Sequence, residues 1–157
     1  MAAPSGTATV LFAGPGGGST GLIGAGVEVR VAANHDSDAI ATHAANHPNT
    51  EHLKVDLLAY DVAKLPRTQM FQMSPSCTFH SRAQGRKIIG DPSEMIAKLM
   101  AGEEVPAYHS GYDQSDRSRV TMWCVVRTID VHRPDVVFVE NVPEVICYGP
   151  NRDGSIY

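Results

Sequence analysis

Apolar residues in this chain fall in short runs separated by glycine, proline and polar turns. Thr7–Ala13 is β-branched and apolar and ends at Gly14, which predicts a buried strand. The glycine-rich stretch Gly14–Gly21 leads into a short helical turn over Leu22–Ala25 that Ser19 or Thr20 could cap. Glu28–Asn34 alternates and predicts a second strand, and Asp36 or Ser37 begins a helix through about Ala45 that His47-Pro48 stops. Leu53–Asp56 and Met70–Met73 predict a third and a fourth strand, the latter running into Ser74–Cys77. Asp116 is placed to cap a helix over Arg119–Val131, where Val120, Trp123, Cys124, Arg127 and Val131 recur at spacings of three and four. Asp135–Val139 predicts a fully buried fifth strand, with Glu140–Pro143 at its C-terminal end.

This alternation predicts an α/β fold: a mostly parallel sheet with helices on both faces, and a ligand site beyond the C-terminal strand ends. Between Thr78 and Ser115 the chain is long for a loop, although Asp91–Gly102 carries helix start and stop signals; the segment is expected to form a functional flap. After Val142 the sequence becomes turn-like.

The length of 157 residues fits one domain, and 43% hydrophobic with 19% charged residues is a globular balance. With no apolar run near the ~20 residues of a membrane span, and no Lys or Arg among the first ten residues, a soluble cytoplasmic protein is expected. Three cysteines without a C-x-x-C pair offer neither a disulfide framework nor a zinc-finger spacing. The net charge of −4 gives no support to nucleic-acid binding by electrostatics alone. Between Asp61 and Asp91, however, Lys64, Arg67, Arg82, Arg86 and Lys87 occur with no acidic residue among them.

Three features of the strand ends could carry chemistry. The glycine loop exposes backbone N–H groups to a close ligand, and Asp36, at the end of strand two, stands where an acid would meet a ribose hydroxyl pair; NAD and S-adenosylmethionine both satisfy this pattern. Cys77 lies at the end of strand four with basic residues following, and the thiolate of such a residue attacks carbon. Glu140 leaves the sheet at the same rim, where a partly shielded carboxyl group suits proton donation. Cys124 and Cys147 are expected only to pack. His43 and His47 could share a helix face, but no third ligand is indicated and no metal site is expected.

Taken in order, these elements resemble the cytosine-5 DNA methyltransferases over about residues 9–145. Leu11–Gly26 looks like the family's S-adenosylmethionine loop, Ala33–Asp36 is similar to its ribose-binding motif, and Asp56 to the carboxylate that meets the adenine amino group. Ser74–Ser81 resembles the nucleophile motif, Glu140–Val142 matches the ENV triplet, and Arg119–Trp123 sits where the family's intervening helix begins. Ser76 stands where the family usually has proline before the cysteine, and His35 where it has the ribose-binding glutamate, which leaves Asp36 as the substitute.

The resemblance implies a Rossmann-like S-adenosylmethionine-dependent methyltransferase fold, incomplete at the C-terminus, acting in DNA methylation of the restriction-modification kind. Its cofactor-binding residues would be Phe12, Ala13, Gly14, Gly16, Gly17, Asn34, His35, Asp36, Asp56, Leu57, Ser74 and Pro75, its catalytic residues Cys77, Glu140 and Asn141, and its DNA contacts Ser81, Arg82, Arg86 and Lys87. Cys77 would add to carbon 6 of a flipped cytosine while Glu140 holds the exocyclic amine and protonates nitrogen 3, and carbon 5 would then take the methyl group; the reaction needs no metal. Nothing in the sequence matches the family's later Gln-Arg-x-Arg motif or its target-recognition domain. A truncated or split enzyme is therefore expected, which alone does not methylate DNA at an ordinary enzymatic rate and whose missing parts a second chain could supply. The competing readings are a non-catalytic S-adenosylmethionine-binding remnant and an NAD-binding oxidoreductase, which would leave Cys77 and Glu140 unexplained.

Overall fold

The structure is a computed structural model that describes residues 6–77, 100–102, 114–143 and 145. Five parallel strands, β1 (Thr7–Leu11), β2 (Glu28–Asn34), β3 (Glu51–Lys54), β4 (Met70–Met73) and β5 (Val136–Val139), form one sheet in the order β3-β2-β1-β4-β5. Helices α1 (Gly17–Gly24), α2 (Ser37–Asn46) and α3 (Gln114–His132) and a 3-10 turn at Val62–Lys64 make up the other regular elements among the described residues. This is the expected α/β architecture.

The order of the strands fixes where a ligand can sit. From β1 the chain steps outward through β2 and β3, then returns to place β4 on the other side of β1, so the direction of winding reverses between β1 and β4. Right-handed crossovers put α1 and α2 on one face and α3 on the other, which opens a crevice beyond the C-terminal ends of β1 and β4.

Both faces of the central strands are covered. Leu11, Val31, Ala33, Phe71 and Met73 pack with Leu57, Val62, Leu65 and Val125 of α3 into one buried cluster. Ala8, Val10 and Ala32, also fully buried, alternate with these residues. On the α3 side, the Arg127 guanidinium donates to the carbonyls of Leu57 and Tyr60, both at 3.0 Å, and His132 Nε2 meets the Val62 carbonyl at 2.7 Å.

Four readings of the sequence need correction. β5 is not fully buried: Val136, Phe138 and Val139 are 37%, 52% and 45% exposed, because among the described residues nothing pairs with its outer edge. Helix α3 begins at Gln114, so Asp116 lies inside its first turn and is not its cap. Its buried face is Val120, Cys124, Val125, Thr128 and His132, whereas Val131 points to solvent. Helix α1 starts at Gly17, five residues before the expected Leu22, with Gly16 as its N-cap and no side-chain cap. The helix expected over Asp91–Gly102 lies outside the described residues except for its last three, as does the tail after Val145.

Candidate active site

The loop after β1 is shaped by backbone conformations that few side chains allow. Phe12 (φ 57°), Gly14 (φ 52°) and Gly16 (φ 113°) are all left-handed. For Phe12 that conformation costs on the order of 1–3 kcal/mol, the kind of strain that collects at ligand sites. The loop is pinned at its start, where the Ala13 N–H donates to the Ala33 carbonyl at 3.0 Å. Two glycines are required by close approach as well. A Cβ on Gly16 would lie 2.9 Å from the His47 ring, and one on Gly18 would lie 2.5 Å from Oε1 of Gln72 on β4. At Gly14 and Gly17 a Cβ would meet nothing within 4 Å, so these positions open outward. The first turn of α1 thus offers backbone N–H groups without a side-chain cap and contains no acidic residue.

Beyond β2, Asn34 Oδ1 accepts from the Asp36 N–H at 3.0 Å. Asp36 caps α2 through one oxygen, its Oδ1 accepting from the N–H groups of Asp38 at 2.9 Å and Ala39 at 2.8 Å. The Ala39 hydrogen bond does most to hold its carboxyl below the ordinary carboxylate value, outweighing partial desolvation; Asp38 and the charges of His35 and Lys54 act in the same direction. Oδ2 lies outside the cap. Helix capping and ligand recognition, set against each other in the sequence, are therefore compatible here. After β3, Asp56 is half-buried and its Oδ1 accepts from the Leu58 N–H at 3.0 Å. Leu57 is different: its side chain belongs to the core cluster and its carbonyl is taken by Cys124 and Arg127.

The ends of β4 and β5 are stitched together. The Ser74 N–H donates to the Leu11 carbonyl at 3.2 Å, and the Glu140 N–H to the Met73 carbonyl at 3.0 Å. Asn141 Nδ2 donates to the Pro75 carbonyl at 2.9 Å, while its Oδ1 accepts from the Val142 N–H at 2.8 Å. The Ser76 N–H donates to Thr121 Oγ1 of α3 at 3.1 Å. Pro75 is buried and Cys77, two residues on, is exposed. Glu140 is also exposed, not partly shielded as expected. Glycine loop, Asp36, Cys77 and Glu140 all lie at the C-terminal ends of adjacent strands.

A family model, C-5 cytosine-specific DNA methylase, matches residues 7–101. The chain belongs to that family. The matched span covers β1 to β4 and includes the glycine loop and Cys77. Among solved structures, one described as a DNA modification methyltransferase encoded within a prophage of E. coli aligns over 89% of this chain and 33% of its own, at 22% identity and a TM-score of 0.61. The Dnmt2 methyltransferase of S. pombe aligns over 87% of this chain and 36% of its own, at 15% identity and a TM-score of 0.58. These likenesses support the Rossmann-like methyltransferase fold; the chain spans about a third of the length of each. No curated protein matches the chain in sequence.

Ser81, Arg82, Arg86, Lys87 and Cys147 lie outside the described residues. Cys124 is buried, as expected, with its thiol directed at the Leu57 carbonyl at 3.4 Å. Sequence reasoning missed two features. Ser19 does not cap α1 but turns inward to His43, and His52 of β3 joins His43 and His47 as a third histidine. The spacing of four between His43 and His47 was a visible signal, whereas the approach of His52 depends on β3 lying beside β2. No group of three or more His, Cys, Asp or Glu among the described residues is arranged to hold a metal ion, and none of the described helices is long and apolar enough to cross a membrane.

Proposed function

We propose that this chain is the cofactor-binding and nucleophile-bearing part of a DNA (cytosine-5)-methyltransferase that uses S-adenosylmethionine. The observation that carries the reading is the joining of two loops by Asn141, which ties the strand end bearing Glu140 to the turn presenting Cys77. The residues at the end of β1 suit the cofactor: uncapped N–H groups of α1 for its amino-acid carboxylate, Oδ2 of Asp36 for its ribose, and Asp56 for its adenine amino group. Once bound, S-adenosylmethionine supplies an electrophilic methyl group.

The chain's own groups do the rest. The Cys77 sulfur adds to carbon 6 of a cytosine swung out of the helix, while Glu140 gives a proton to ring nitrogen 3 and holds the exocyclic amine. Electron density gathered at carbon 5 takes the methyl group as its bond to the sulfonium sulfur breaks, leaving the neutral thioether S-adenosylhomocysteine; loss of the carbon-5 proton to solvent then returns the electron pair that expels the thiolate, and nitrogen 3 gives its proton back to Glu140. Ser81, Arg82, Arg86 and Lys87 are proposed as DNA contacts through phosphate.

A further stretch of polypeptide, in the same or a second chain, is proposed to complete the sheet beyond β5. The exposed Val136, Phe138 and Val139, with Val126 and Ile129 of α3 at 51% and 37%, support this, since such surface is normally covered. Transfer of labelled methyl to cytosine-rich duplex DNA tests the function. Label at cytosine carbon 5 that vanishes in Cys77→Ser supports it, and label unaffected by that substitution overturns it.

A further inference from the structure

Beneath the glycine loop lies a chain of hydrogen-bonded side chains that the proposed chemistry does not use. His43, fully buried on α2, meets Ser19 Oγ of α1 through Nε2 at 2.8 Å and His52 Nε2 of β3 through Nδ1 at 2.8 Å. One turn on, His47 Nε2 lies 3.2 Å from the Gly16 carbonyl and 3.1 Å from Thr20 Oγ1. The same two rings form the floor of the loop, since a Cβ on Gly16 would come within 2.9 Å of His47 and 3.3 Å of His43. Gly16 has no room to settle further, and its carbonyl and the Ser19 hydroxyl are both held by imidazoles.

Such a cluster is sensitive to protons. With His43 neutral, either its Nε2–H donates to Ser19 and Nδ1 accepts from His52, or the Ser19 hydroxyl donates to Nε2 and Nδ1–H donates to His52; both arrangements satisfy all three groups. An added proton takes away an acceptor and sets a positive charge among rings whose centroids are 4.8 Å (His43 to His47) and 4.9 Å (His43 to His52) apart. Among the described residues no counter-charge faces it. Helix α1 and strand β1 carry no charged residue, Glu28 and Arg30 of β2 pair with each other in solvent, and Glu51 and Lys54 of β3 are exposed. Burial, then the charges of His47 and His52, accordingly push the His43 imidazole down to about 4.

We propose that His43 and His47 are positioning residues of the glycine loop, and that proton uptake at His43 loosens the loop and weakens its binding of S-adenosylmethionine. The second half rests on the proposed assignment of that loop to the cofactor. Loop and cofactor are tested separately. Amide NMR spectra of the ligand-free protein are followed from about pH 7 to about pH 3, a range that brackets the value of about 4 to which the His43 imidazole is pushed. The Gly16, Gly17 and Gly18 signals should shift together on acidification, and the shift should largely vanish in His43→Gln or His47→Gln but persist in Asp36→Asn. Circular dichroism checks that each variant is folded; should His43→Gln unfold, the half-buried His47→Gln decides alone. Titration with S-adenosylhomocysteine should show affinity falling over the same range, by up to about tenfold per pH unit for one linked proton. Loop amides that ignore pH, or that respond equally in wild type and both histidine variants, overturn the proposal. Absence of S-adenosylhomocysteine binding at every pH overturns the cofactor assignment instead, while the ligand-free spectra still decide whether the histidines hold the loop.

Discussion

The side-chain amide of Asn141 donates to the main-chain carbonyl of Pro75 across 2.9 Å, joining residues 66 positions apart in the sequence. Pro75 cannot use an N–H to anchor its own turn, so this carbonyl is one of the few handles by which the segment before Cys77 can be held. Asn141→Ala removes the donor and leaves a part-buried carbonyl unpaired, at a cost of about 1 kcal/mol. Hydrogen exchange should quicken at Ser76 while the centre of the sheet, at Val10 and Phe71, stays protected. Unchanged exchange at Ser76 would mean that the Thr121 hydroxyl alone holds the turn.

The Gly18 and Gln72 positions should be energetically coupled. Gly18→Ala pushes a methyl group against the end of the Gln72 side chain, whose Nε2 also donates to Ser74 Oγ at 2.7 Å. We expect Gly18→Ala to destabilise the chain and Gly18→Ala with Gln72→Ala to cost less than the sum of the two single changes, by about 0.5 kcal/mol or more. Denaturant unfolding of the four proteins measures this. Gly16→Ala should find no such relief, because its φ of 113° is strained for any side chain.

The two described cysteines should differ sharply toward an alkylating reagent. Cys77 is exposed and reacts in the folded chain; Cys124 is buried against Leu57 and reacts only on unfolding. Mass spectrometry of labelled peptides over time reads both. Faster labelling of Cys124 would contradict the packing of α3.

Acid should weaken the fold through His43. Its imidazole is lowered from 6.5 to about 4, so the unfolded chain binds a proton that the folded chain refuses. Stability from this group is complete above pH 6.5, falls by up to about 1.4 kcal/mol per pH unit as the pH drops toward 4, and then levels off. Unfolding midpoints of wild type and His43→Gln across that range should converge as the pH falls.

Phe71 and Phe138 lie on neighbouring strands with opposite environments, the first fully buried and the second 52% exposed. Phe71→Ala should cost about 3–5 kcal/mol, as for a buried aromatic ring, and Phe138→Ala far less. A polypeptide that completes the sheet should close this gap when added.

Much of this was legible in the sequence, for identifiable reasons. The runs at Thr7, Glu28 and Met70 are bounded by glycine and polar turns, so period and punctuation located β1, β2 and β4, and the order of motifs put the candidate residues at adjacent strand ends. The exposure of β5 was not legible, because Val136–Val139 reads the same whether or not a neighbour covers it. Nor was the inward turn of Ser19, since a serine near a helix start looks like a cap until His43 arrives from another element. The tie from Asn141 to Pro75 likewise depends on β4 and β5 being neighbours, which local pattern does not encode.

What the glycine loop binds decides whether this chain is the cofactor-binding part of a methyltransferase. Calorimetric titration of the chain with S-adenosylhomocysteine and, separately, with NAD decides it. We predict one S-adenosylhomocysteine bound per chain, abolished by Gly16→Ala and weakened by Asp36→Ala, with NAD binding more weakly or not at all. NAD binding tighter than S-adenosylhomocysteine, or S-adenosylhomocysteine binding that Gly16→Ala and Asp36→Ala leave intact, would contradict it.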